Sequence, residues 1–131
     1  MNYRAAAASY NQVKNHSAVE NADAHRLIDM LFDGLLERIA QARGAMQHKM
    51  VEAKGQKINS AIAILSGLRE NLNHDADPEI SANLDALYAY VQDILSKAHR
   101  INDLDLLDEA TQLISNVASA WKQIGGSAKK G

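Results

Sequence analysis

The sequence predicts an all-α protein, an antiparallel up-down four-helix bundle with a flexible or partly helical N-terminal arm. The main observation is that apolar residues recur three and four positions apart through four long segments. Short polar breaks separate these segments, and the clearest lie at residues 73–78, which contain the single proline, and at residues 102–103. Because short links join the long helices, consecutive helices must run antiparallel.

The first long helix is predicted to begin at Asp23 and to run to about residue 49. Asp23 is the expected N-cap, since its carboxylate can accept from the free amides of the first turn. One face of this helix carries a continuous apolar stripe, the signature of burial against partner helices. The stripe consists of Ile28, Leu31, Phe32, Leu35, Ile39, Ala42 and Met46.

The other three helices follow from the same pattern. The second runs to about Leu72, and its Ile64 lies well off the inward face, so we expect Ile64 to be more exposed. The third covers residues 79–100, with Tyr88 and Tyr90 flanking its inward stripe on opposite edges. Tyrosine suits such edges because its ring is apolar and its hydroxyl can remain hydrated. The fourth is expected to end at residues 125–127.

The domain organisation predicted from these elements is simple. Residues 1–20 form the arm, residues 21–125 form the bundle, and residues 126–131 form a disordered tail. A length of 131 residues suits one domain with a single core.

Composition excludes several classes of protein. The chain has no cysteine, which rules out a disulfide framework and suits a reducing compartment. A formal net charge of −2 gives no general attraction to nucleic acid or to anionic lipid. No apolar run approaches the roughly 18 residues that indicate a membrane span, and the N-terminus lacks the apolar core of a signal peptide.

The first helix carries more apolar surface than one interface needs. Leu27 flanks the inward stripe and Met30 lies beyond it, while Gly34 lies on their side of the helix. A glycine in mid-helix costs about 1 kcal/mol relative to alanine. Two interpretations are open: a helix with one tolerated glycine, or a notch walled by Leu27 and Met30 that forms part of a groove for another helix.

No pattern in the sequence predicts catalysis, so we expect a protein that is not an enzyme and needs no metal or cofactor. The five histidines lack the Glu-x-x-His pairs of di-iron bundles, and no Gly-rich phosphate loop occurs. His25 and Asp29 lie one turn apart, which is more typical of a solvated contact than of a metal site. A histidine phosphotransfer-type bundle remains the alternative; His25, in the first turn of its predicted helix, and His48 are poorly placed for it.

An ordered set of short matches runs along the chain. It consists of residues 10–13, 25–28, 30–34, 54–55, 61–62, 68–69, 72–73, 87–90, 102–103 and 120–122. With these residues the chain resembles the flagellin-specific export chaperones, the FliS proteins, over nearly its whole length. Three positions depart from that pattern: Ala24 stands where the family often has proline, and Asp93 and Ile94 stand where it often has an arginine pair.

The resemblance implies a cytosolic chaperone for flagellin. Such a protein binds the disordered C-terminal segment of newly made flagellin, prevents premature polymerisation and delivers flagellin to the flagellar type III export apparatus. Its partners are proteins, without nucleic acid, membrane insertion or a cofactor. The flagellin-binding groove is expected at Leu27, Met30, Gly34, Ile64, Tyr88 and Tyr90. Tyr10 and Val13 of the arm are expected to hold a lid over part of that groove until flagellin displaces it.

Overall fold

The described part of the chain folds into four long helices, as the sequence predicts. The computed structural model describes the backbone of residues 18–130 and the side chains of residues 24–123. The helices are α1 (Ala18–Gln47), α2 (Val51–Glu70), α3 (Pro78–Ile101) and α4 (Leu104–Lys130). The principal packing pairs are α1 with α2, α2 with α3, α3 with α4, and α4 with α1. The bundle is therefore a closed ring in which α1 lies diagonally opposite α3.

Local capping chemistry sets both ends of α3. The Asp77 side chain accepts from the Ile80 amide at 3.1 Å, and Pro78 occupies the first helical turn, where no N–H donor is needed. At the other end Asn102 adopts the left-handed conformation, with φ of 54°. Asp103 then accepts from the Asp105 amide at 2.9 Å. The predicted stop and restart at residues 102–103 are confirmed.

Two predicted helix ends are wrong. The first helix begins at Ala18, so Asp23 lies within it and is not its N-cap. No proline or glycine precedes Asp23 in this segment, so nothing in residues 18–22 stops the helix from starting earlier. At the other end of the chain α4 continues through Gly125 to Lys130. Two glycines weaken a helix by about 1 kcal/mol each, which lowers its stability but does not forbid it.

The core is built from the predicted stripes of all four helices. Its largest fully buried side chains include Phe32, Leu35, Leu65, Tyr88, Leu95 and Leu107. Burying each such side chain contributes roughly 1.5–3 kcal/mol. On α1 the predicted stripe is buried throughout except at Leu31, which is half-buried. Along the described part of the chain, no helix is long and apolar enough to cross a membrane.

Candidate functional site

The outer surface of the α1–α2 pair carries most of the predicted binding residues. Leu27, Met30 and Gly34 lie three and four positions apart, which places them on one face of α1. Leu27 is 48% exposed and Met30 is 59% exposed, whereas the neighbouring Ile28 and Phe32 are buried. On α2 the corresponding residues are Ile64 and Gly67. We call these five residues the α1–α2 groove.

Gly34 and Ile64 bring the two helices together in this groove. A Cβ atom placed on Gly34 would lie 3.8 Å from Ile64 Cδ1, an ordinary contact distance. Ile64, which the sequence predicted to lie well off the inward face, is half-buried and packs against the core cluster. The predicted notch at Gly34 is therefore bounded by Ile64 of α2 as well as by Leu27 and Met30 of α1.

Neither groove glycine is required by the bundle itself. Among the described residues no glycine has a positive φ. A Cβ atom on Gly67 would meet no heavy atom within 4 Å, and the contact at Gly34 is unstrained. The helix cost of about 1 kcal/mol for each glycine thus has no explanation in the packing of α1 against α2. Gly67 was missed at the sequence level; it lies in the last turn of α2, one turn from the off-stripe residue Ile64.

The two tyrosines do not join this groove. Tyr88 is fully buried in the core, so the prediction that it lies at a wet edge of α3 is wrong. Tyr90 is 46% exposed and donates a hydrogen bond to Glu109 of α4. That hydrogen bond, more than burial, raises the pKa of the Tyr90 phenol above its ordinary value. Because α3 lies diagonally opposite α1, Tyr90 belongs to a separate surface.

Polar contacts fix the other side of α1 against α4. Lys122 donates to Asp29 at 2.7 Å and approaches Asp33 at 3.2 Å. The hydrogen bond to Asp29 is the main reason that the pKa of Lys122 is raised. Arg43 forms a bidentate pair with Asp108, with contacts of 2.7 and 3.2 Å. These contacts hold α1 from the α4 side, whereas Leu27 and Met30 on its other side remain exposed and apolar.

The described histidines do not form a reaction centre. His25 is half-buried and its ring stacks on Trp121 at a centroid distance of 4.1 Å, while Trp121 Nε1 donates to the His25 carbonyl. Since α1 begins at Ala18, His25 lies beyond the first turn in which the sequence placed it. His48 follows the end of α1, and His74 lies in the α2–α3 link. His99 is half-buried in the last turn of α3, where it packs against Gly55.

No group of three or more metal-ligating side chains occurs within the part of the chain whose side chains are described. Asp29, which the sequence placed one turn from His25, pairs instead with Lys122. The predicted lid residues Tyr10 and Val13 lie outside the described residues.

Comparisons with known proteins place the chain in a family. The family model described as "Flagellar protein FliS" matches residues 6–128. The flagellar secretion chaperone FliSB of Pseudomonas aeruginosa is 45% identical over 115 residues, which cover 88% of this chain and 91% of the relative. The flagellar secretion chaperone FliS of Salmonella typhimurium is 40% identical over 121 residues, which cover 92% of this chain and 90% of the relative. The flagellar secretion chaperone FliS of Bacillus subtilis is 31% identical over 114 residues, which cover 87% of this chain and 84% of the relative. The chain belongs to the FliS family of flagellar secretion chaperones.

Proposed function

We propose that this protein is a cytosolic export chaperone that binds the disordered C-terminal segment of flagellin in the α1–α2 groove. Binding covers a segment that flagellin needs for polymerisation, so flagellin stays monomeric until the chaperone delivers it to the flagellar type III export apparatus. The protein acts by binding alone, without catalysis, metal or cofactor.

The observation that carries this proposal is the combination of exposed apolar side chains and glycines in the groove. Leu27 and Met30 offer apolar surface to a partner. Gly34 and Gly67 leave space at the surface beside them, since a Cβ atom on Gly34 would lie 3.8 Å from Ile64 Cδ1 and one on Gly67 would meet no heavy atom within 4 Å. An amphipathic helix binds in such a groove with its apolar face inward.

The groove also suits a partner that is disordered before it binds. A segment that folds on binding loses conformational entropy at that step, which limits affinity for a given buried area and permits later release. The methionine in the groove adds tolerance for different side chains, because its unbranched chain adapts to the shape of the partner. Limited affinity and tolerance for different side chains both suit a chaperone that must later release its partner.

The direct test is co-purification with flagellin fragments that contain or lack the C-terminal segment. We expect a 1:1 complex only with the fragment that contains it, in buffer with EDTA. Circular dichroism of the mixture should exceed the sum of the parts, because the segment gains helix. Additive spectra, together with no complex on a sizing column, would refute the proposal.

Matched variants locate the binding surface. Met30→Glu places a charge in the groove and should weaken flagellin binding by about a hundredfold, whereas Ala86→Glu places the same charge on the exposed face of α3 and should leave binding unchanged. Gly67→Leu should also weaken binding, and Gly44→Leu is its control, since a Cβ on either glycine meets no heavy atom within 4 Å. Equal effects within each pair would show that flagellin binds elsewhere.

The N-terminal arm is the second part of the proposal. Through Tyr10 and Val13 it covers part of the groove until flagellin displaces it. The support is the exposure of Leu27 and Met30, because exposed apolar patches tend to be covered when no partner is present. Protease cleavage within residues 1–20 should therefore become faster when flagellin is added. An arm protected equally in both states would disprove displacement.

The alternative, a histidine phosphotransfer-type bundle, has little support. Such a bundle needs an exposed histidine in the middle of a helix, on a face where a partner can dock. Among the described histidines, the exposed ones lie between helices, and those within helices are half-buried against Trp121 or Gly55.

A further inference from the structure

A second concave surface lies at the end of the bundle where α1 stops. It is an open cavity of about 790 Å³, within the usual size range of ligand sites. Its lining residues come from the end of α1, the start of α2 and the α3–α4 link. They are Ala45, Met46, Gln47, Lys49, Met50, Val51, Lys54, Asn102 and Leu104. This lining contains two lysines and no carboxylate.

Lys54 gives the cavity a buried positive charge. The residue is only 6% exposed, and its ammonium donates to the His99 carbonyl at 3.1 Å and to Asn102 Oδ1 at 2.5 Å. Both acceptors are uncharged, and no carboxylate of the described residues pairs with Lys54. A buried charge is ordinarily paired with an opposite charge. Both acceptors lie at the C-terminal end of α3, the negative end of that helix's dipole, which offsets part of the Lys54 charge, but no carboxylate completes the pairing.

The rim of the cavity is apolar and exposed. Met50 is 56% exposed, Val51 is 71% exposed, and Ile101 of the adjoining α3 end is 53% exposed. Lys49 is also exposed, and its φ of 57° is a left-handed conformation that costs a residue with a side chain about 1–2 kcal/mol. Met50 occupies the N-cap position of α2 and makes no side-chain cap, and Glu52 in the first turn offsets part of the positive end of the α2 dipole.

We propose that this cavity is a second docking site, which receives a segment of a partner protein that carries a carboxylate side chain beside a large apolar side chain. The carboxylate binds between Lys49 and Lys54, and the apolar side chain contacts Met46, Met50 and Val51. The site is separate from the α1–α2 groove, since Met30 and Ala45 are about 20 Å apart along α1.

A pair of short peptides tests this docking site directly. The probes are acetyl-Leu-Glu-Leu-amide and acetyl-Leu-Gln-Leu-amide, which differ only in the carboxylate. In NMR titrations of the full-length, nitrogen-15-labelled chain, the glutamate peptide should shift the amide signals of residues 49–54 and 102 in a saturable manner. The glutamine peptide should bind roughly tenfold more weakly, because it cannot form a charge-assisted hydrogen bond.

Exposed positions supply variants that leave the core intact. Lys49→Glu and Val51→Glu should each weaken binding of the glutamate peptide by about tenfold, while Lys97→Glu on the exposed face of α3 should not. Equal binding of the two peptides, no shift of residues 49–54, or equal loss in the Lys97→Glu control would overturn the proposal. The probes contain no flagellin sequence, so their failure would leave the proposed flagellin site untouched.

Discussion

The side of α2 that faces α3 and the side that faces α1 make different polar contacts. Towards α3, Arg69 forms a bidentate pair with Asp85, at 2.8 and 3.3 Å, and donates to Gln92 at 2.9 Å. Gln92 in turn donates to Ser66 Oγ at 2.9 Å and to the Ile62 carbonyl at 3.1 Å. Towards α1, the described residues form no ion pair with α2, and the cross-helix side-chain hydrogen bond is that from Arg38 to Ser60, at 3.2 Å.

This difference shows how a small bundle can keep an open groove. The hydrogen bonds towards α3 are directional, so they hold α2 in one rotation and one register. The α1 side can then remain apolar at the surface, because it does not have to hold the helices in place alone. A partner can cover the α1–α2 groove without breaking a polar network, which it could not do between α2 and α3.

The largest expected effect compares one arginine from each side of α2. Arg69→Met should lower the free energy of unfolding by about 1–2 kcal/mol, because Asp85 and Gln92 lose their charge-assisted partner. Arg38→Met should cost less than about 0.5 kcal/mol, since its bond to Ser60 is a single partly exposed contact. Urea unfolding measures both values. Equal losses would mean that the two sides of α2 contribute alike.

A smaller effect, of opposite sign, is expected from the groove glycines. Gly34→Ala and Gly67→Ala should each raise the free energy of unfolding by roughly 0.5–1 kcal/mol, because alanine favours the helix and the added Cβ atom fits without strain. Gly44→Ala, which fills open space outside the groove, should give a similar gain. Urea unfolding of the isolated chain measures all three. A loss at Gly67 alone would reveal a steric need for glycine there.

The smallest expected effect is on how the free energy of unfolding depends on pH under acidic conditions. The hydrogen bond from Arg69 lowers the pKa of Asp85 below its ordinary value of 3.8. A lowered carboxyl pKa stabilises the folded state above that ordinary value, and this contribution is lost as the pH falls through the lowered pKa. The difference in stability between the wild type and Arg69→Met should therefore narrow from pH 5 towards pH 2, while the difference for Arg38→Met changes less. A constant difference for Arg69→Met would contradict this origin.

The sequence by itself determined the four helices, their links and most of the core, because these depend on local chemistry. Apolar spacing of three and four residues defines a face on any helix, and Asp77, Pro78, Asn102 and Asp103 act on the backbone within a few residues of themselves. The same reasoning separated Leu27 and Met30 from the inward stripe of α1, and both are exposed. It did not predict that α1 begins at Ala18 or that α4 ends at Lys130, because neither position carries a strong capping residue or helix breaker.

Only the tertiary structure decided which edge of each stripe is covered. Tyr88 and Tyr90 both flank the stripe of α3, yet Tyr88 is in the core and Tyr90 is exposed. The rotation of α3 against its neighbours makes that choice, and the rotation depends on contacts far apart in the chain. Lys54 contacts residues 45 and 48 positions away, and Arg69 contacts Gln92 across 23. Helical periodicity describes neighbours three and four residues apart, so it carries no information about these pairs.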